Sequence, residues 1–248
     1  MKKLSLVTVL ILTMSSLTLA QSNTADVSQT GDDNFTEVKQ IGKANDAATE
    51  QTGNSGEIFV TQNGIENILE AFQDGDDDLT TWTLGNRNEI YFSQTGGGQN
   101  SGTVNQQGNQ NIATVDQVGS RNRAEVTQGD AAFGGSKFAK GTITQSGNDN
   151  YAEVAQYGNV GSYHSSNSYT LTQDGEFHTV FGWQEGKNHS AMIDQDGTAQ
   201  DLEFEQYGNN NSIDVIQSGL LSGPGVNNSA YIMQDGMDNS AVVNQSTF

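Results

Sequence analysis

From Asn23 to Gln245 apolar residues fall at every second position within short runs, and each run is followed by a polar connector containing glycine. The runs read Asn-x-apolar-x-apolar-x-Gln, as in Asn111-Ile-Ala-Thr-Val-Asp-Gln117, Asn122-Arg-Ala-Glu-Val-Thr-Gln128, Asn150-Tyr-Ala-Glu-Val-Ala-Gln156 and Asn239-Ser-Ala-Val-Val-Asn-Gln245. Alternation with a period of two marks a strand with one buried face, and a helical period fits none of these runs. The pattern predicts about nineteen short strands, the first Asn23–Gln29 and the last Asn239–Gln245. The leading Asn is replaced at Gly56, Asp78, Ala139, His178, His189 and Gln200, and only the sixth strand, Asp78–Leu84, lacks the closing Gln.

The connectors carry glycine two residues after the Gln, at Gly31, Gly42, Gly53, Gly64, Gly75, Gly108, Gly119, Gly147, Gly208 and Gly236. That placement suits a sharp corner better than an Asn-Gly hairpin. If each corner turns the chain into a facing sheet, every second strand lies on its equivalent, parallel and in register at ~4.8 Å. The expected fold is all-β: a two-sheet β-solenoid of stacked strand-turn-strand units, or β-arches. Apolar pairs such as Ile58 and Val60, or Ile213 and Val215, fill the space between the sheets. The flanking amides also face inward and are expected to form ladders, since a buried amide without partners costs about 1–3 kcal/mol. Their members include Asn34, Gln40, Asn45, Gln51, Asn67, Gln73, Asn111, Gln117, Asn122, Gln128, Asn150, Gln156, Asn211, Gln217, Asn239 and Gln245.

Three connectors are six residues longer: Gly129–Phe138, Tyr157–Ser166 and Ser218–Asn227. Counting strands in unbroken alternation puts Phe35, Phe59, Tyr151, Phe181, Trp183 and Tyr231 on one outer face, and Phe72 and Tyr91 on the other. The outward middle positions Asp26, Glu37, Ala48, Phe59, Glu70 and Thr81 form no threonine array.

Composition narrows the function. Ten Lys and Arg against thirty Asp and Glu give a formal charge of −20, which disfavours nucleic acid as a partner. Glycine is abundant at 29 residues while proline occurs once, so neither collagen nor proline-rich disorder fits. Without cysteine there is no disulfide framework and no thiol nucleophile. Met1–Ala20 reads as a secretory signal: Lys2 and Lys3, the apolar run Leu4–Leu12, then small residues before Gln21. The mature chain is therefore expected to span residues 21–248, with no membrane insertion, because no later stretch approaches the ~20 apolar residues of a span. His178 and His189 head consecutive strands and so start at opposite edges, too far apart to share a metal. The acidic turn Asp74-Gly75-Asp76-Asp77-Asp78 lacks the spacing of a calcium loop. Neither a catalytic constellation nor a cofactor is expected.

The recurring Gln-x-Gly-x-x-Asn, as at Gln29-x-Gly31-x-x-Asn34 and Gln40-x-Gly42-x-x-Asn45, resembles the curlin repeat of bacterial curli fibres, with a small apolar residue two positions after Asn. The resemblance covers Asn23 to Gln245. It implies a secreted subunit that polymerises into extracellular amyloid fibres at the cell surface and supports adhesion and a biofilm matrix. It further implies a nucleator subunit and an outer-membrane export pore as partners. Independently, a solenoid that stays monomeric needs polar end caps, and here the outermost runs, Asn23, Ala25, Val27 and Gln29 at one end and Asn239, Ala241, Val243 and Gln245 at the other, are expected to be open polymerisation edges. The alternative is a monomeric secreted solenoid whose flat face binds ice or carbohydrate.

Overall fold

A computed structural model describes residues 11–14, 22–53, 55–74, 88–129, 136–158, 166–219 and 228–247. Its first half holds β1 (Ile11–Met14), β2 (Thr24–Thr30), β3 (Phe35–Lys43), β4 (Asp46–Thr52), β5 (Glu57–Ile65), β6 (Ile68–Asp74), β7 (Glu89–Gly98), β8 (Ser101–Asn109), β9 (Ile112–Ser120) and β10 (Arg123–Gln128). There follow β11 (Ser136–Lys137), β12 (Lys140–Asn148), β13 (Tyr151–Tyr157), β14 (Ser168–Glu176), β15 (Thr179–Lys187), β16 (Ser190–Thr198), β17 (Asp201–Asn209), β18 (Ser212–Gly219), β19 (Ser229–Met237) and β20 (Ser240–Thr247).

Strands that follow each other in sequence do not pair. One sheet, here the first, runs β3-β5-β7-β9-β12-β14-β16-β18-β20, with β1 added beside β3; the second runs β2-β4-β6-β8-β10-β13-β15-β17-β19, with the two-residue β11 set against β8. Among the described residues each sheet thus has nine repeat strands, and every pairing is parallel and in register, for example Gln40 on Gln62 and Gln145 on Gln173, save for a shift between Thr95 and Gly98 where β7 meets β9. This is the two-sheet β-solenoid anticipated from the alternation, and a meander is excluded.

One expectation fails at the sixth strand. Asp78–Leu84 lies outside the described residues, and β5 pairs directly with β7, Glu57 opposite Glu89. The physical reason is visible in the ladder: Gln62 donates straight to Gln94 at 2.9 Å, and the sixth segment has no Gln to stand between them. From Asn88 onward every strand therefore sits in the sheet opposite to that given by unbroken counting. Tyr91 joins Phe35 and Phe59 on the first sheet, while Tyr151, Phe181, Trp183 and Tyr231 share the second with Phe72. Phe59 and Tyr91 stack with ring centroids 5.2 Å apart and planes 2° from parallel, and Phe35 leans on Phe59 at 5.4 Å.

The core is a thin apolar layer between the sheets. Ile58, Ile90, Val104, Ile143, Leu171, Val180, Phe204 and Val215 are fully buried, as the period of two requires. Where an inward side chain is large, a glycine makes room. A Cβ on Gly102 would lie 1.9 Å from the Phe92 ring, one on Gly141 2.3 Å from the Tyr169 hydroxyl, and one on Gly182 2.4 Å from the Phe204 ring. Packing at near-crystalline density leaves no other way to admit three aromatic rings.

Candidate functional site: amide ladders and open ends

The inward amides at the strand ends carry the chemistry of this fold. In the first sheet Nε2 of each glutamine donates to Oε1 of the next, from Gln40 through Gln62, Gln94, Gln117, Gln145, Gln173, Gln195 and Gln217 to Gln245, at 2.7–3.0 Å. The second sheet repeats this from Gln29 through Gln51, Gln73, Gln106, Gln128, Gln156, Gln184 and Gln206 to Gln234, at 2.6–3.1 Å. Every link points the same way, toward the C-terminal end. Beyond Gln29, whose second N–H donates to Thr36 Oγ1 at 3.2 Å, the second N–H of each amide reaches across the core to a backbone carbonyl of the facing sheet: Gln40 to Thr24 O at 2.7 Å, Gln51 to Phe35 O at 3.2 Å, Gln117 to Ser101 O at 3.1 Å and Gln128 to Ile112 O at 3.0 Å. The glutamines thus hold coil to coil and sheet to sheet.

Most of the asparagines work differently from the side-chain ladder expected of them, which Asn45, Asn67 and Asn100 do form. Their Oδ1 accepts the backbone N–H of the equivalent residue one coil on: Asn34 from Gly56, Asn45 from Asn67, Asn122 from Asn150 and Asn211 from Asn239. Nδ2 donates to carbonyls of the connectors, as Asn45 does to Ile41 O and Gly64 O, and Asn150 to Ser146 O and Gly175 O. Asn111 follows this scheme, donating to Gln107 O at 3.0 Å, whereas Asn67 donates to Asn45 Oδ1 at 3.0 Å and Asn100 to Asn67 Oδ1 at 3.3 Å, a short stretch of the expected side-chain ladder. An asparagine is the shortest side chain that can both accept along the stack and pin its own corner.

Substitutions at this position show what it demands. His178 and His189 are buried, one heading β15 in the second sheet and the other β16 in the first. Nδ1 of each accepts a backbone N–H, from Gln200 and Asn211 at 3.3 Å, and Nε2 donates to Asp174 O at 3.2 Å and Glu185 O at 3.0 Å in the Nε2–H tautomer. The imidazole imitates Asn with one acceptor and one donor, and burial lowers the pKa of both rings from the ordinary value. Gln200 fits poorly: its Nε2 reaches Asp196 O at 2.6 Å, but its Oε1 is buried with no partner.

The turn glycines Gly31, Gly42, Gly53, Gly64, Gly108, Gly119, Gly147, Gly208 and Gly236 all have φ between 100° and 153°; Gly75 lies outside the described residues. Glycines of successive coils stack so closely that a Cβ on Gly147 would lie 1.9 Å from Gly175 O. A feature absent from the sequence reading is the residue just before Asn, which is left-handed in almost every corner, with φ near 60° at Asp33, Glu66, Gln110, Arg121, Asp149 and Phe177. Its residue types are too mixed to signal that conformation, because the fixed glycine and asparagine on either side impose it.

The outermost strands differ from the rest. Ala25, Val27, Ala241 and Val243 point inward yet are only half-buried, as are Asn23, Gln29, Asn239 and Gln245, whereas their equivalents inside the stack are buried. Of the two N–H groups on Gln234 and Gln245, one is spent on Ser212 O and Ser229 O; the other faces off the stack. At the opposite end Gln40 Oε1 is buried without a donor. Beside it β1, within the segment expected to be a leader, lies parallel on β3 with Leu12 opposite Val38.

Among the described residues no group of His, Cys, Asp and Glu could hold a metal, and no helix is long and apolar enough to cross a membrane. A short threonine array does exist on the first sheet, beyond the outward positions before Asn88 that form none: Thr114, Thr142 and Thr170 stack in register, with Thr144 and Thr172 beside them. It ends at Tyr91 on one side and Met192 on the other.

The family model described as "Curlin associated repeat" matches residues 31–64, 97–129, 165–197 and 225–246. No curated protein matches the chain.

Proposed function

The chain belongs to the curlin repeat family, a family of structural amyloid subunits rather than enzymes, and we propose that it is a secreted subunit of curli-like extracellular fibres. In this reading the leader is removed near Gln21, the mature chain passes an outer-membrane pore, and a nucleator subunit starts the fibre that supports adhesion and the biofilm matrix. The observation that carries the proposal is the pair of open ends. The C-terminal coil, β19 and β20, offers the unspent amide N–H groups of Gln234 and Gln245, and the N-terminal coil offers the unpartnered Gln40 Oε1 once β1 is removed. Placing one copy on another lets both glutamine ladders and both sheets run on without a break, and a buried amide gains a partner worth about 1 kcal/mol at each joint. Fibre growth is then the fold continued across molecules.

Incubating the purified mature chain tests this. Sedimentable, thioflavin-positive fibres with a meridional spacing of ~4.8 Å are expected. A chain that stays monomeric and soluble over days at high concentration overturns the reading and leaves a surface-binding solenoid in its place.

A further inference from the structure

We propose that the outer face of the second sheet, from β10 to β19, is a binding track for a linear polymer of protonated amino sugars. Two abutting hollows of about 320 and 280 Å³ lie on this face and share Phe181 and Glu203. Together they run along the stacking direction. The register sets one column in line across them: Glu125, Glu153, Phe181, Glu203 and Tyr231, one residue per coil. Phe181, between Glu153 and Glu203, and Tyr231, at the end of the column, are 44% and 59% exposed, so both rings are open to a ligand. Alongside, Trp183 packs against Tyr157 with ring centroids 4.5 Å apart, and its indole N–H is buried with no acceptor.

The chemistry of the track selects its occupant. Glu125, Glu153, Glu203 and Glu205 line the larger hollow, and no lysine or arginine lines either one among the described residues. Arg123 pairs with Glu125 at the margin and leaves the other acids uncompensated. A cation is therefore required, which disfavours a second copy of this acidic face. Rings without charge would suit a neutral sugar, whose apolar face stacks on an aromatic plane; rings set among carboxylates suit a sugar that also bears an ammonium group. A pyranose unit is about as long as one coil step, so successive sugars meet successive coils. Side chains on one face of an extended peptide recur every ~6.7 Å and fall out of step with strands ~4.8 Å apart. The track is complete in one chain and does not depend on fibre formation.

The test is calorimetric titration of the mature chain, soluble or assembled, with the hexamer of glucosamine, the fully N-acetylated hexamer and hexalysine at low salt. The glucosamine hexamer is expected to bind at least ~10-fold more tightly than either competitor, and Glu203→Gln or Phe181→Ser to weaken it ~10-fold or more. Glu37→Gln, on the first sheet, should change nothing. Circular dichroism checks that each variant keeps its strands, and Glu203→Gln, an exposed near-isostere, keeps the test meaningful should Phe181→Ser perturb packing. Equal binding of the acetylated hexamer, tighter binding of hexalysine, absence of binding, or indifference to both substitutions would each overturn the proposal.

Discussion

An imidazole at the head of β15 or β16 replaces an asparagine only while it is neutral. Protonating His178 or His189 turns the Nδ1 acceptor into a donor facing the backbone N–H of Gln200 or Asn211, inside a buried corner. Both pKa values lie below the ordinary histidine range because burial penalises the charged ring. The sign follows from linkage: an unfolded histidine titrates near ~6.5 and the folded one lower, so the unfolded chain binds more protons in that interval. Stability from these rings is complete above ~6.5 and declines as the pH falls below it. Replacing both with Asn should flatten the dependence of the denaturation midpoint on pH between ~6.5 and ~5, and a variant as pH-sensitive as the parent would refute this account. The two histidines could be placed at the Asn position from the spacing alone. Their tautomer and partners could not, because these depend on which carbonyl the connector presents.

At the scale of the element, the corner decides whether two strands can stack. The glycine of an interior corner such as Gly119, Gly147 or Gly175 is held at positive φ and lies against the glycine of the next coil, so two independent constraints exclude a side chain there. Gly147→Ala would force both a strained backbone and a contact of 1.9 Å with Gly175 O, inside a run in which Gly119, Gly147, Gly175 and Gly197 all touch. The expected loss is about 2–4 kcal/mol, read as a lower denaturant midpoint, whereas Ser146→Ala in the same corner should stay within about 0.5 kcal/mol. The strands themselves were legible because period-two alternation and the Asn and Gln at their ends mark their limits almost residue by residue. The sixth segment departs for the opposite reason: Asp78–Leu84 keeps the spacing but not the Gln, and β5 pairs directly with β7 past it. The role of glycine inside strands also escaped the pattern, since Gly102, Gly141 and Gly182 make sense only once Phe92, Tyr169 and Phe204 are known to lie beside them.

Across the whole molecule, that single omission exchanges the sheets for everything beyond Asn88 and so decides which aromatic and acidic residues share a face. The track on the second sheet could not have been assembled from sequence, because Glu153, Phe181 and Glu203 are 28 and 22 residues apart and become neighbours only through the register. The ends are where interior and surface chemistry meet. Removing the outward-facing donors with Gln234→Leu and Gln245→Leu should slow addition to preformed parent seeds ~10-fold or more, since each joint loses two amide bonds of about 1 kcal/mol. Unchanged elongation would show that backbone pairing alone drives the joint. Because every glutamine in both sheets aims its NH2 group in one sense, a filament of such chains is a vector. Within the glutamine ladders its leading tip shows donors and its trailing tip acceptors, so antiparallel splices would set like against like. The two tips would then gain and shed subunits at unequal rates, and a blocker fitted to one would leave the other free to run.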